Sequence, residues 1–226
     1  MSNTAEYTDI SINRSNMFSF LARLYKVEAD ESLIKSIIEL PEMEEGTAEF
    51  IEGIKAMKSC LTGSRTDIVT ELAVDYACVF LGAGKAETEL SAYPYQSVYT
   101  SPKKLLMQDA RDKVLAVYRK FGLDRSERYN EPEDHIFFEL EFMSELCKRL
   151  YESEIKKEHA ESLSLLKAQK AFITEHLLKW VPAFCRDVEK IAATGFYKGA
   201  AKVTSAYLHM DLAVTEELIS DCTAGR

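Results

Sequence analysis

No two cysteines in this chain are spaced C-x-x-C, and no histidine has another histidine or a cysteine close by in sequence. The five cysteines, Cys60, Cys78, Cys147, Cys185 and Cys222, are scattered and odd in number. That excludes a disulfide framework or zinc knuckle and predicts reduced thiols filling core positions, as in a cytoplasmic protein. No apolar run reaches the ~18 residues of a spanning helix. Residues 1–7 lack the basic and apolar regions of a secretory leader, so none is expected. H-E-x-x-H, G-x-S-x-G and the nucleotide fingerprints are missing too. Gly82-Ala83-Gly84-Lys85 follows a helical pattern instead of a strand and lacks the full phosphate-loop spacing, so it reads as a helix exit. No stretch alternates like a strand between turn residues, and no fixed-period repeat occurs.

What is present is helical. With 226 residues, 46% of them apolar, the chain can bury a substantial core as one large domain or two small lobes. Its net charge of −9 argues against non-specific nucleic-acid binding and favours basic or neutral partners. Apolar stripes at helical spacing predict helices over 11–26 and over 31–40, one carrying Phe50, Ile51, Ile54, Met57 and Leu61 to a stop at Gly63, and one from Ser64 or Thr66 to Phe80. A fifth is expected to start at Ser101-Pro102 and run to Phe121, burying Leu105, Leu106, Val114, Val117 and Tyr118. A helix following the acidic stretch to about Lys156, one over 159–180 that Pro182 breaks or kinks, one carrying Phe184, Val188 and Ile191 to a stop at Gly195, and one over 196–219 complete an all-α architecture of about nine helices. Residues 122–130 are short, polar and without a stripe, and read as a hinge between lobes 1–121 and 131–226.

Two stretches carry candidate chemistry. Glu131-Pro132-Glu133-Asp134-His135 sets three acids and a histidine at a rigid helix start. Asp134 as cap or Pro132 as first residue explains it structurally; an acidic clamp with a titratable histidine is the functional alternative. Should His135 face those acids, its pKa would rise. Asp134, His135 and Glu139 also make a small metal- or nucleotide-dependent hydrolase conceivable, although neighbouring helical positions point about 100° apart and converge poorly on a metal. The second stretch is Tyr93-Pro94-Tyr95-Gln96-Ser97-Val98-Tyr99, a loop this aromatic being either tacked to the core or offered to a ligand.

Four segments together carry a resemblance that covers roughly residues 10–215. Glu131-Pro132-Glu133-Asp134-His135 resembles the E-P-x-D-H signature of the TorD/DmsD/NarJ family of molybdoenzyme maturation chaperones. Tyr76-Ala77-Cys78-Val79-Phe80, the loop from Pro94 to Tyr99, and His176-Leu177-Leu178-Lys179-Trp180 with Phe184 are similar to further motifs of that family, in the same order. Val79 stands where leucine is usual, tyrosines replace the loop's tryptophans, and the loop has fewer prolines. The resemblance implies a TorD-like helical fold and a cytoplasmic chaperone, not an enzyme. Its partners would be the twin-arginine signal peptide and the catalytic subunit of a molybdenum-cofactor enzyme. It would bind no nucleic acid, insert in no membrane stably, and exist as a monomer or domain-swapped dimer. The residues implied to hold the client are Tyr76, Val79, Phe80, Pro94, Tyr95, Ser97, Tyr99, Glu131, Glu133, Asp134, His135 and Glu139. No cofactor or metal of its own is expected; guanine-nucleotide binding, attached to parts of the family, is not expected without a phosphate loop.

Overall fold

The computed structural model describes residues 2–42, 45–63, 67–84, 91–123 and 131–224, with backbone alone over 2–7. Among the described residues there are ten α-helices: α1 (Ser2–Lys26), α2 (Glu31–Ile38), α3 (Ala48–Thr62), α4 (Ile68–Phe80), α5 (Gln96–Thr100), α6 (Asp109–Lys120), α7 (Ile136–Lys156), α8 (His159–Phe172), α9 (Leu178–Ile191) and α10 (Gly195–Ala224). The same residues hold no strand, only an isolated antiparallel bridge between Tyr95 and His135. The all-α class expected from the apolar periodicity is therefore what forms.

Starts follow from capping. The side chains of Asp30, Thr47 and Asp67 accept the backbone N–H of Leu33, Phe50 and Thr70 and so open α2, α3 and α4. The alternative starts at Ser64 and Thr66 lie outside the described residues, as does Lys85. Gly82, at φ +70°, ends α4, and a Cβ there would sit 2.8 Å from the Tyr93 hydroxyl.

Two expectations are corrected. The helix expected over 101–121 begins only at Asp109. Ser101 accepts the N–H of Lys104 on its carbonyl (3.1 Å) and that of Leu105 on its Oγ (3.3 Å), while Lys104 and Met107 take left-handed backbone at φ 52° and 56°. Each such non-glycine residue costs roughly 1–2 kcal/mol. The stripe never forms there, and Leu105 and Leu106 are 53% and 44% exposed instead of buried. Pro182, expected to break or kink the helix over 159–180, lies inside α9, which starts at Leu178. A π-turn over Ile173–Leu177 joins α8 to α9, with the Leu178 N–H reaching the Ile173 carbonyl, so the spiral is widened one turn ahead of the ring.

Internal contacts gather the chain into two compact units. One comprises residues 1–23, 95–179 and 211–226; the other comprises 24–94 and 180–210. This grouping runs along a different line from the sequential lobes 1–121 and 131–226, and residues 124–130 of the expected hinge are outside the described ones. In the first unit Tyr118, Phe142 and Phe172 pack in a row, tilted and edge-on, with ring centroids 4.8 and 4.7 Å apart. In the second, Phe80 touches Tyr25, Tyr76, Phe184 and Tyr197 with centroids 5.0–6.0 Å apart. Each buried ring contributes on the order of 2–3 kcal/mol by burial. Asp75 of α4 accepts the N–H of Ala193 (3.0 Å), the N–H of Thr194 (2.8 Å) and the Thr194 hydroxyl (2.6 Å), which pins α4 to the turn ahead of α10.

Candidate functional site

The acidic stretch is a clasp. His135, not Asp134, is the N-cap of α7, and Pro132 lies ahead of the helix instead of being its first residue: the His135 Nδ1 accepts the Phe137 N–H at 3.1 Å. Asp134 turns the other way. Its Oδ2 accepts the Ser97 N–H at 2.8 Å, and its carbonyl accepts the Gln96 N–H at 2.9 Å. With the Tyr95–His135 bridge, these bonds fasten the start of α5 to the start of α7. Glu133 is 5% exposed and receives Arg111 as a fork, Nε at 2.5 Å and Nη2 at 3.1 Å, which raises the guanidinium's pKa. Glu139 is sealed at 0% exposure, and its charge, with those of Asp134 and Glu133, adds to the burial that raises the Tyr118 phenol. Glu131 alone of these acids is exposed; its Oε2 accepts the hydroxyl of half-buried Tyr95.

The open acidic clamp is thus corrected: Glu133, Asp134 and Glu139 are interior, and one carboxylate, Glu131, faces solvent. The expectation that His135 titrates upward is corrected too. Burial pushes its pKa down to about 3; the ring packs edge-on to Tyr95 at 4.9 Å and caps the helix as a neutral acceptor.

This depressed pKa has a sign. Below pH 6.5 the unfolded histidine takes a proton that the folded one refuses, so its contribution to stability is lost as pH falls from about 6.5 towards 3. Glu154, raised to about 7 chiefly by burial, acts oppositely over 4.5–7. Subtracting the stability of His135→Asn from that of wild type isolates the histidine. Denaturant titrations at pH 7 and pH 5 are expected to show that difference shrinking by about 2 kcal/mol; a constant difference would refute the buried neutral cap.

The other expected residues separate by burial. Tyr76 (6% exposed), Val79 (0%) and Phe80 (2%) are core, Tyr76 donating its hydroxyl to the Tyr25 carbonyl at 2.9 Å. Pro94 and Ser97 are buried as well. These five residues and the interior acids are buried in the fold, not displayed on its surface. Tyr99 is half-buried and lines a cleft of about 630 Å³ in the first unit, with Thr100, Lys113, Glu175, His176 and Lys179 among its walls. His176 Nδ1 lies 3.2 Å from Gln96 Oε1, and its ring stacks on Phe172 at 4.7 Å. Burial lowers its pKa, with Glu175 opposing and Lys113 reinforcing that shift.

The sequence reading missed the outer face of α4. Val74 and Leu81 are 58% and 63% exposed, Cys78 is half-buried between them, and Tyr93, 42% exposed, lies against Gly82. The signal was available: 74, 78 and 81 follow i, i+4, i+7, a second apolar stripe on a helix already using Leu72, Tyr76, Val79 and Phe80 for its core. Apolar residues on both sides of a surface helix mark something to be covered.

Residues 40–186 match the family described as nitrate reductase delta subunit. Chaperone protein TorD of Photobacterium profundum is 31% identical over 76% of this chain and 74% of its own. The chain belongs to the TorD/DmsD/NarJ family. Chaperone protein TorD of Vibrio cholerae (strain O395) is 36% identical over 70% of this chain and 68% of its own. A crystal structure provisionally described as a redox enzyme maturation protein of Archaeoglobus fulgidus aligns with 84% of this chain and 91% of that one, at 21% identity and a TM-score of 0.47. In this maturation chaperone Glu133, Asp134 and His135 of the acidic motif are each hydrogen-bonded within the fold.

Proposed function

We propose that this molybdoenzyme maturation chaperone works by holding the twin-arginine signal peptide of its client, and that the outer stripe of α4 receives the peptide's apolar stretch. The observation that carries the reading is the row Val74, Cys78, Leu81 with Tyr93 beside it, large apolar side chains displayed on a helix that Asp75 and the aromatic core hold still. A leader of this kind combines a basic head with an apolar run. Laying the run on a fixed helix face uses the same physics as helix-in-groove recognition.

The same reading makes the protein a binder without a reaction of its own, resident in the cytoplasm, where its five free thiols stay reduced. The hydrolase alternative has no support in the geometry: Asp134 and His135 are interior and occupied by backbone N–H groups, and among the described residues no group of three potential metal ligands converges.

Calorimetry with a synthetic twin-arginine leader of the molybdoenzyme encoded nearby tests this. Leu81→Asp and Val74→Asp are expected to weaken binding at least about tenfold, since each removes apolar contact and adds a charge to desolvate, with melting changed little. Undiminished affinity in both α4 variants, or no binding by wild type, would overturn the assignment.

A further inference from the structure

A surface of opposite character to the rest of the chain lies around the start of α6. The chain carries a net −9, yet residues 101–121 hold Lys103, Lys104, Arg111, Lys113, Arg119 and Lys120 against Asp109 and Asp112. Arg111 is committed to Glu133; the other five basic residues are exposed. Leu105, Leu106 and Met107, at 53%, 44% and 59% exposure, stand between the paired lysines and the helix. This knuckle is held in shape. Beyond the two bonds to Ser101, Gln108 Nε2 donates to the Leu106 carbonyl at 2.9 Å, and left-handed Lys104 and Met107 bracket the leucines. The apolar trio is therefore displayed by its backbone and cannot fold inward as the helical stripe would have done.

The chemistry of the patch selects its partner. A basic peptide is repelled by the lysines, so this is not the client leader's seat. Nucleic acid offers phosphates but no apolar phase for three aliphatic side chains. An anionic lipid surface offers both: headgroups for the lysines and the acyl boundary for Leu105, Leu106 and Met107. We propose that residues 102–108 and the exposed face of α6 dock the protein, peripherally and reversibly, on anionic lipid. Crossing is not involved; no described helix is long and apolar enough to span a membrane. Three shallow side chains hold weakly, and so do a few lysines, so attachment requires both.

Flotation of the full chain with phosphatidylcholine vesicles, alone or mixed with phosphatidylglycerol in equal parts, tests the proposal. Binding at least about tenfold stronger to the mixed vesicles, falling as salt is added, is expected. Leu105→Ser/Leu106→Ser and Lys103→Gln/Lys104→Gln should each lower it by about tenfold or more with melting unchanged, because all four side chains are exposed. Equal binding to both vesicle types, no binding, or variants that bind like wild type would overturn it. So would a dimer in lipid-free buffer that the leucine variant dissolves, which would assign the patch to a second copy.

Discussion

Arg14→Met is expected to lower the melting temperature by roughly 10 °C in differential scanning calorimetry. Arg14, 5% exposed, sends Nε to Asp211 Oδ1 at 2.7 Å, and its Nη2 reaches Asp211 Oδ2 at 3.0 Å and the Thr215 hydroxyl at 2.6 Å. The ion pair is two-pronged and dry, with Asp211 2% exposed, and it joins α1 to α10 inside the first unit. Removing the cation strands a buried carboxylate, which costs about 3–5 kcal/mol, whereas removing both charges costs far less. Arg14→Met combined with Asp211→Leu should therefore recover most of the loss. Glu154 supplies a second reading. Its carboxyl is raised to about 7 by burial, with Arg14 drawing it down, so it stays protonated in the fold over pH 4.5–7 and stability falls as pH rises through that range. Without Arg14 the carboxyl rises further, and the single variant should lose additional stability above pH 7. A single variant melting within about 2 °C of wild type would mean that the pair contributes little more than a surface bridge.

Sequence carried this fold as far as local rules reach. The cap at Asp30, the stop at Gly82 and the stripes of α3, α4 and α7 are short-range chemistry, visible to anyone counting by three and four. The helix over 101–121 failed because the preference for Ser-Pro at a helix start is weak, and Ser101 spends its carbonyl and hydroxyl on a tight turn instead. Pro182 misled because a widened turn upstream relieves what proline ordinarily breaks. The site was harder. Motif acids looked like ligands because spacing cannot say that Arg111, 22 residues earlier, already fills Glu133. Nor can it say that Asp134 faces Ser97, 37 residues away. Such pairings are tertiary, and a single chain's periodicity is blind to them. The outer stripe of α4 was legible but was masked by the stronger inner one.

Asp134→Ala is expected to cost about 2–3 kcal/mol, and the loss should be local before it is global. Asp134 has no exposed surface; Oδ2 holds the Ser97 N–H, and Oδ1 has no hydrogen-bond partner among the described residues. Alanine leaves that N–H buried and unmet and removes a charge-assisted bond, an effect larger than most surface substitutions give. The segment it holds carries Tyr95, which donates to Glu131, and Tyr99, which lines the cleft, so both move with α5. Hydrogen exchange over 95–101 should accelerate at least about thirtyfold while the amides of α3 keep their protection, since about 2 kcal/mol of opening free energy corresponds to that factor. Asp134→Asn keeps an oxygen for Ser97 and should restore much of it. A residue that only touched the client would behave otherwise: affinity would fall, exchange in the free protein would not change, and asparagine would rescue neither. If Asp134→Ala leaves the 95–101 amides as slow as in wild type, the fastening role is wrong and the motif must act on the client directly.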